Sequence, residues 1–229
     1  MQRAPQFVTG DFEPHWCFLP DDEYGRALDA LVKACSDVLI TTAGGGRVLL
    51  GKRNTEPQPD WWYFGGRVKP GMSPEEGAAK NVKRELGLDK PASEFKVIAN
   101  YSFVWKWRAQ APADHGTADI STIHNLELES EAEVAHFMPD PKEYDDFRWF
   151  DTDEVLAGEF HPALKAAIRD LRAANAHRAL EAAVQSGQSA ADISELAKVF
   201  VTSAHRPSDA PIKVKFEDGK YTTEDLPLK

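Results

Sequence analysis

Residues 65 to 88 read GGRVKPGMSPEEGAAKNVKRELGL, a glycine turn, a loop, a helix and a terminating glycine. Ser73-Pro74-Glu75-Glu76 is a capping box with proline at the first helical position. A helix is therefore predicted from Pro74 to Leu86, with Ala78, Val82 and Leu86 inward and Gly87 as its end. Positions 81, 84 and 85 are spaced i, i+3, i+4 and share one helix face. That face presents an amide (Asn81), a guanidinium (Arg84) and one carboxylate (Glu85). Hard divalent cations want several oxygens, and this face offers a single carboxylate, Glu85. Arg84 adds positive charge beside it. Arginine forks grip phosphate oxygens in bidentate fashion. Trp61, Trp62 and Tyr63 offer faces for stacking on a base or sugar, with hydrophobic loop packing the better reading of Trp62.

These side chains need a scaffold. Residues 21 to 35 have an acidic start and then Leu28, Leu31 and Val32 at helical spacing. Val38 to Ile40 and Val48 to Leu50 are short apolar runs around the turn Gly44-Gly45-Gly46. Residues 56 to 62 form a loop rich in proline and tryptophan. Strands are expected at 95–108, 120–129 and 147–150, with an acidic loop or strand edge over 131–146. Asp151 to Glu154 opens a brief helix and Pro162 a second, with Leu164, Ile168 and Leu171 inward, and an alanine-rich stretch to about 186 continues or follows it. A short helix at 190–200 and a hairpin at 212–223, turning at Asp218-Gly219, complete the chain. The pattern is a mixed α/β domain over 36–172, flanked by an arm and helix (1–35) and a helical extension with a hairpin (173–229).

The 65–88 stretch resembles a Nudix box, the loop–helix–loop that binds a divalent metal and a diphosphate. Counted from Gly66, the glycines at 66 and 87, the apolar 82 and 88, and Glu85 match, whereas Met72, Lys80, Asn81 and Arg84 replace the expected glutamates and arginine. Within that superfamily, LLGKRNTEPQPDWWYFGGRV, VWKW (104–107), GTADISTIH (116–124) and YDDFRWFDTDEVLAGEFH (144–161) resemble the GDP-mannose mannosyl hydrolases over about residues 20–172. The resemblance implies an α/β/α sandwich around a mixed sheet, a homodimer, and attack of water on an anomeric carbon with departure of a nucleoside diphosphate. It implies metal ligation by the Gly66 carbonyl, Glu85 and Glu143, and diphosphate contacts from Arg53 and Arg67. It places Tyr144 where the family has its histidine base. A phenol, with a pKa near 10, is a poor base at neutral pH, so Asp145, Asp146 or His124 would have to take the proton. The site residues expected are thus Glu85, Glu143, Tyr144 and Asp145 for catalysis and Arg53, Arg67, Trp61 and His124 for substrate.

Length and charge fit this reading. The chain has 229 residues, 42% hydrophobic, with 27 basic and 37 acidic side chains and a net charge of −10. The acidic balance argues against broad binding to nucleic acid or anionic lipid, and no run approaches a membrane span. The start lacks an apolar signal region, and two cysteines, Cys17 and Cys35, build neither a disulfide framework nor a zinc site, so the cytoplasm is the expected compartment. His115, His136, His161, His177 and His205 show no zinc-ligand spacing. The leading expectation is Mg²⁺-dependent hydrolysis of a nucleoside diphosphate sugar. Its rivals are a binding module without catalysis, and a Nudix scaffold doing other chemistry on a phosphorylated small molecule, with Arg84 in place of metal charge.

Overall fold

The computed structural model describes residues 6–138, 140–205 and 210–227. The elements are α1 (Asp21–Ala30), β1 (Lys33–Thr42), β2 (Arg47–Arg53), β3 (Trp61–Trp62), β4 (Phe64–Arg67), α2 (Pro74–Leu86), β5 (Lys96–Trp105), β6 (Thr117–Leu128), β7 (Tyr144–Asp151), α3 (Thr152–Ala157), α4 (Pro162–Gln185), α5 (Ala190–Ala204), β8 (Ile212–Glu217) and β9 (Lys220–Asp225). No helix among the described residues is long and apolar enough to cross a membrane.

Seven strands form one mixed sheet in the order β3-β2-β1-β6-β5, with β4 on β1 and β7 on β2. β1 and β6 are parallel along their full registers, from Lys33 opposite Asp119 to Thr42 opposite Leu128. On its other side β1 changes partner: Ile40 and Thr41 pair with β2, whereas Cys35 to Val38 pair with β4. The sheet therefore splits between β2 and β4, and the candidate site lies at that split.

Both faces of the sheet are covered, and the side-chain period of two assigns the residues. Leu39, Leu50 and Ile123 pack against Leu164, Ile168 and Leu171 of α4. Val38, Ile40, Leu49 and Leu126 pack against Ala78, Val82 and Leu86 of α2. Within the central β1, Val38-Leu39-Ile40 is a continuous apolar run because that part of the strand is buried on both faces. Each of these large aliphatic side chains contributes roughly 1.5–3 kcal/mol on burial. The result is the α/β/α sandwich expected.

Two local expectations change. α1 ends at Ala30, because Leu31 takes extended backbone (φ −130°, ψ 145°), and Leu31 and Val32 point to solvent. The chain enters the sheet at Lys33, drawn in by pairing with β6. The loop expected over 56–62 ends before Trp61, and the two tryptophans and the expected glycine turn at 65–66 lie instead in the short strands β3 and β4, where the tryptophans pair with β2 and the glycines with β1.

Candidate active site

α2 begins as its capping box dictates: Ser73 Oγ accepts from the Glu76 N–H (3.2 Å) and Glu76 Oε2 from the Ser73 N–H (2.8 Å). The helix then carries Asn81, Arg84 and Glu85 to the Gly65–Gly66 segment of β4. Only glycine fits at 65, since a Cβ there would collide with the Asp37 side chain and the Ser36 carbonyl. Glu85 is nearly enclosed, its side chain 4% exposed. Its Oε2 accepts from the Tyr144 hydroxyl (2.8 Å) and the Gly65 N–H (3.3 Å), and its Oε1 is bound by the Arg84 guanidinium. Burial pushes the Glu85 pKa up, against the pull of Arg84 and Tyr144. Burial and the Glu85 charge raise that of Tyr144, which stays a neutral donor.

The donor set does not fit a magnesium ion. A hard cation would take carboxylate and carbonyl oxygens here, and protein donors engage both Glu85 oxygens and the Gly65 and Gly66 carbonyls. Arg84 Nη2 donates to the Gly65 carbonyl (3.4 Å) as well as to Glu85, and Asn81 Nδ2 donates to the Gly66 carbonyl (2.9 Å). Glu143 faces Arg53 at 3.5 Å. Among the described residues no group of three or more His, Cys, Asp or Glu side chains is placed to hold a metal. The positive charge at the centre of the site is the guanidinium of Arg84.

In front of this cluster opens a pocket of about 280 Å³. Trp62, Phe103 and Trp105 form one wall, with Phe103 stacked on Trp105 at 5.1 Å and Trp62 edge-on to both at 5.9 Å. Arg53, Arg67, Arg84, Arg108 and Lys33 also line it, with Asp37, Asp119 and Glu143. Lys33 pairs with Asp119 at 2.9 Å, and Arg108 with Asp29 of α1 at 2.6 Å. Arg67 stacks on Tyr24 at 4.9 Å and has no carboxylate partner among the described residues. Among the described residues, Arg53 Nε, Tyr63 Oη, Arg108 Nη2 and Thr117 Oγ1 in the lining are buried polar atoms without a partner. Each such atom costs roughly 1–3 kcal/mol unless a ligand or solvent bonds it.

Of the residues expected from sequence, Arg53, Arg67, Gly66, Glu143 and Tyr144 line the pocket, and Glu85 is bonded directly behind Tyr144. Three stand apart from the lining. Trp61 packs edge-on against Phe150 (4.8 Å) under Arg148. Asp145 is held by Asn54 Nδ2 (2.8 Å). His124 is fully buried within β6, and burial pushes its pKa down. Trp62, read as packing, both packs in the core and forms pocket wall.

Sequence reasoning missed Asp37. It lies on β1 against Gly65, accepts a hydrogen bond from Ser121 Oγ, and faces the pocket. Burial, with Glu85 and Asp119 as neighbouring charges, pushes its pKa up to about 7. The available clue was a lone carboxylate opening the apolar run Val38-Leu39-Ile40. Asp119 was missed although it lies within GTADISTIH (116–124), because nothing local marks which residues of that strand face the pocket.

The family model described as NUDIX domain matches residues 34–171, more than half of the chain. The chain belongs to the Nudix family. Among solved structures the Nudix unit is similar to a MutT NUDIX hydrolase from Burkholderia pseudomallei (18% identity, 61% of this chain and 98% of that one, TM-score 0.48). It is similar also to the E. coli dihydroneopterin triphosphate pyrophosphohydrolase (22% identity, 61% and 95%, TM-score 0.46) and to the C. elegans Ap4A hydrolase (12% identity, 62% and 96%, TM-score 0.41).

Proposed function

We propose that this Nudix protein binds a nucleoside diphosphate sugar and releases the sugar without a bound divalent cation. The observation that carries the reading is the lining of the pocket: four arginines and a lysine beside an aromatic wall. Guanidinium forks match diphosphate oxygens, and the rings of Trp62, Phe103 and Trp105 match a base or sugar face. Arg67, free of a carboxylate partner among the described residues, is the leading phosphate ligand, with Arg53 beside it. Arg84 supplies positive charge where negative charge grows on the departing diphosphate. Asp37, poised between its two protonation states near neutral pH, is the group in the pocket suited to take a proton from water.

A second reading, binding without turnover, is favoured by Tyr144. Its hydroxyl donates to Glu85 and its pKa is raised, so it cannot serve as a base. Calorimetry with GDP, and sugar release from GDP-mannose and GDP-glucose, each with Mg²⁺ and with EDTA, test both readings. Binding should be insensitive to EDTA, and Arg67→Ala should weaken it by roughly 1.5–3 kcal/mol. Binding without sugar release selects the second reading. No binding of any diphosphate, or affinity unchanged in Arg67→Ala, overturns the pocket assignment.

A further inference from the structure

The C-terminal hairpin β8–β9 lies outside the 34–171 unit but reaches the loop at the rim of its pocket. Tyr221, in β9, is half-buried, with its ring on Phe216 (4.5 Å) and edge-on to His161 (5.2 Å). Its hydroxyl donates to Asp60 Oδ2 at 2.6 Å and accepts from Gln58 Nε2 at 3.0 Å. Gln58 and Asp60 both belong to the loop joining β2 to β3. The Arg53 N–H donates to the Asp60 carbonyl (3.0 Å), and the Asp60 N–H to the Gln58 carbonyl (3.1 Å).

Two features tie this contact to the site. Glu56, Pro57 and Gln58 form part of the pocket lining. Gln58 is only 7% exposed, and a buried amide needs hydrogen-bond partners; the hairpin supplies one. The second route runs through His161. Its Nδ1 accepts from the Ala163 N–H (3.1 Å), which fixes the ring, and it lies edge-on to the pocket-wall Trp62 at 5.1 Å as well as to Tyr221. Burial raises the pKa of Tyr221, as does its bond to Asp60, so the hydroxyl remains a donor through neutral pH.

We propose that Tyr221 is a positioning residue: through it the C-terminal hairpin straps the 56–60 loop in place and fixes the rim of the pocket. The strap stands on its own geometry; its effect on ligand rests on the diphosphate reading given above. The test uses the full chain as wild type, Tyr221→Phe and Tyr221→Ala. Hydrogen exchange without ligand, followed by mass spectrometry, reports on residues 54–62 and, as reference, on α2. Loss of the two hydrogen bonds, to Asp60 and from Gln58, should speed exchange at 54–62 about tenfold or more in Tyr221→Phe, with α2 unchanged. The phenylalanine keeps the ring packing, so a hairpin that matters only by packing would leave the loop at its wild-type rate in this variant. GDP affinity should fall severalfold in the same protein. Unchanged loop exchange in Tyr221→Phe overturns the strap. A loosened loop with unchanged GDP affinity overturns the positioning role and leaves the diphosphate reading standing. Failure of the wild type to bind GDP overturns the diphosphate reading, and the exchange rates then decide the strap alone.

Discussion

Arg84 and Glu85 are neighbours in the chain, yet the turn of α2 brings both to the Gly65 carbonyl and N–H. A carboxylate at 84 would add an acceptor there; a guanidinium adds a donor and a charge, and the oxygens of the site turn toward it. Arg84→Glu should reverse this. Thermal melts with and without millimolar MgCl₂ should show no shift for the wild type and an upward shift for the variant, about 1.4 kcal/mol once Mg²⁺ exceeds its Kd tenfold. Equal stabilisation of the wild type would mean that Mg²⁺ enters the site despite the guanidinium. Asp37 makes a pH prediction. Its folded pKa, about 7, lies above the ordinary 3.8. Between about pH 4 and pH 7 the folded state therefore holds a proton that the unfolded chain releases, and stability falls as pH rises through that window. Asp37→Asn removes this dependence. Relative to wild type it should gain roughly 2–4 kcal/mol on going from pH 4 to pH 8, read by urea unfolding. A constant difference across that range would show that Asp37 ionises as an exposed carboxylate does.

The site hangs on two elements, α2 and the β4 segment it faces, and both fit closely. Gly65→Ala forces a methyl group into the Asp37 side chain and the Ser36 carbonyl, both fixed by β1. It should cost roughly 1–3 kcal/mol, measured by chemical denaturation, and should displace Asp37. A variant as stable as wild type would show that β4 can move off β1. Ser73→Ala, at the cap, should cost about 1 kcal/mol with little effect on the pocket. These elements were unequally legible in the sequence. The bounds of α2 could be read because cap, apolar stripe and terminal glycine are all local, and the face carrying Asn81, Arg84 and Glu85 followed from helical spacing. The split of β1 between β2 and β4 could not be read, since strand pairing is set by long-range register, and with it went Asp37 and Asp119. The short strands β3 and β4 were hidden by the prolines and glycines around them. Arg84 could be read as a missing carboxylate. That it would bind the Gly65 carbonyl needed the geometry.

Over the whole molecule, a net charge of −10 surrounds a pocket rich in arginine. An anionic ligand therefore meets an unfavourable long-range field and a favourable local one. Added salt should screen the first more than the second. The C-terminal helices are held with different strength on the two sides of residue 171, where the Nudix unit ends. The first half of α4 belongs to the sheet's core, with Leu164, Ile168 and Leu171 fully enclosed. α5 packs on α4 without one fully buried side chain; Phe200 meets His177 at 5.1 Å, while Val199 and Val201 face outward. Global stability should accordingly reside in the first half of α4, with α5 opening locally below the global transition. Ile168→Ala should cost 2–5 kcal/mol and lower the melting temperature of the whole protein. Phe200→Ala should leave that temperature close to wild type while raising hydrogen exchange across residues 190–204. If instead Phe200→Ala lowers the global transition as far as Ile168→Ala does, α5 is part of the cooperative core, and the boundary of the folding unit lies beyond residue 171.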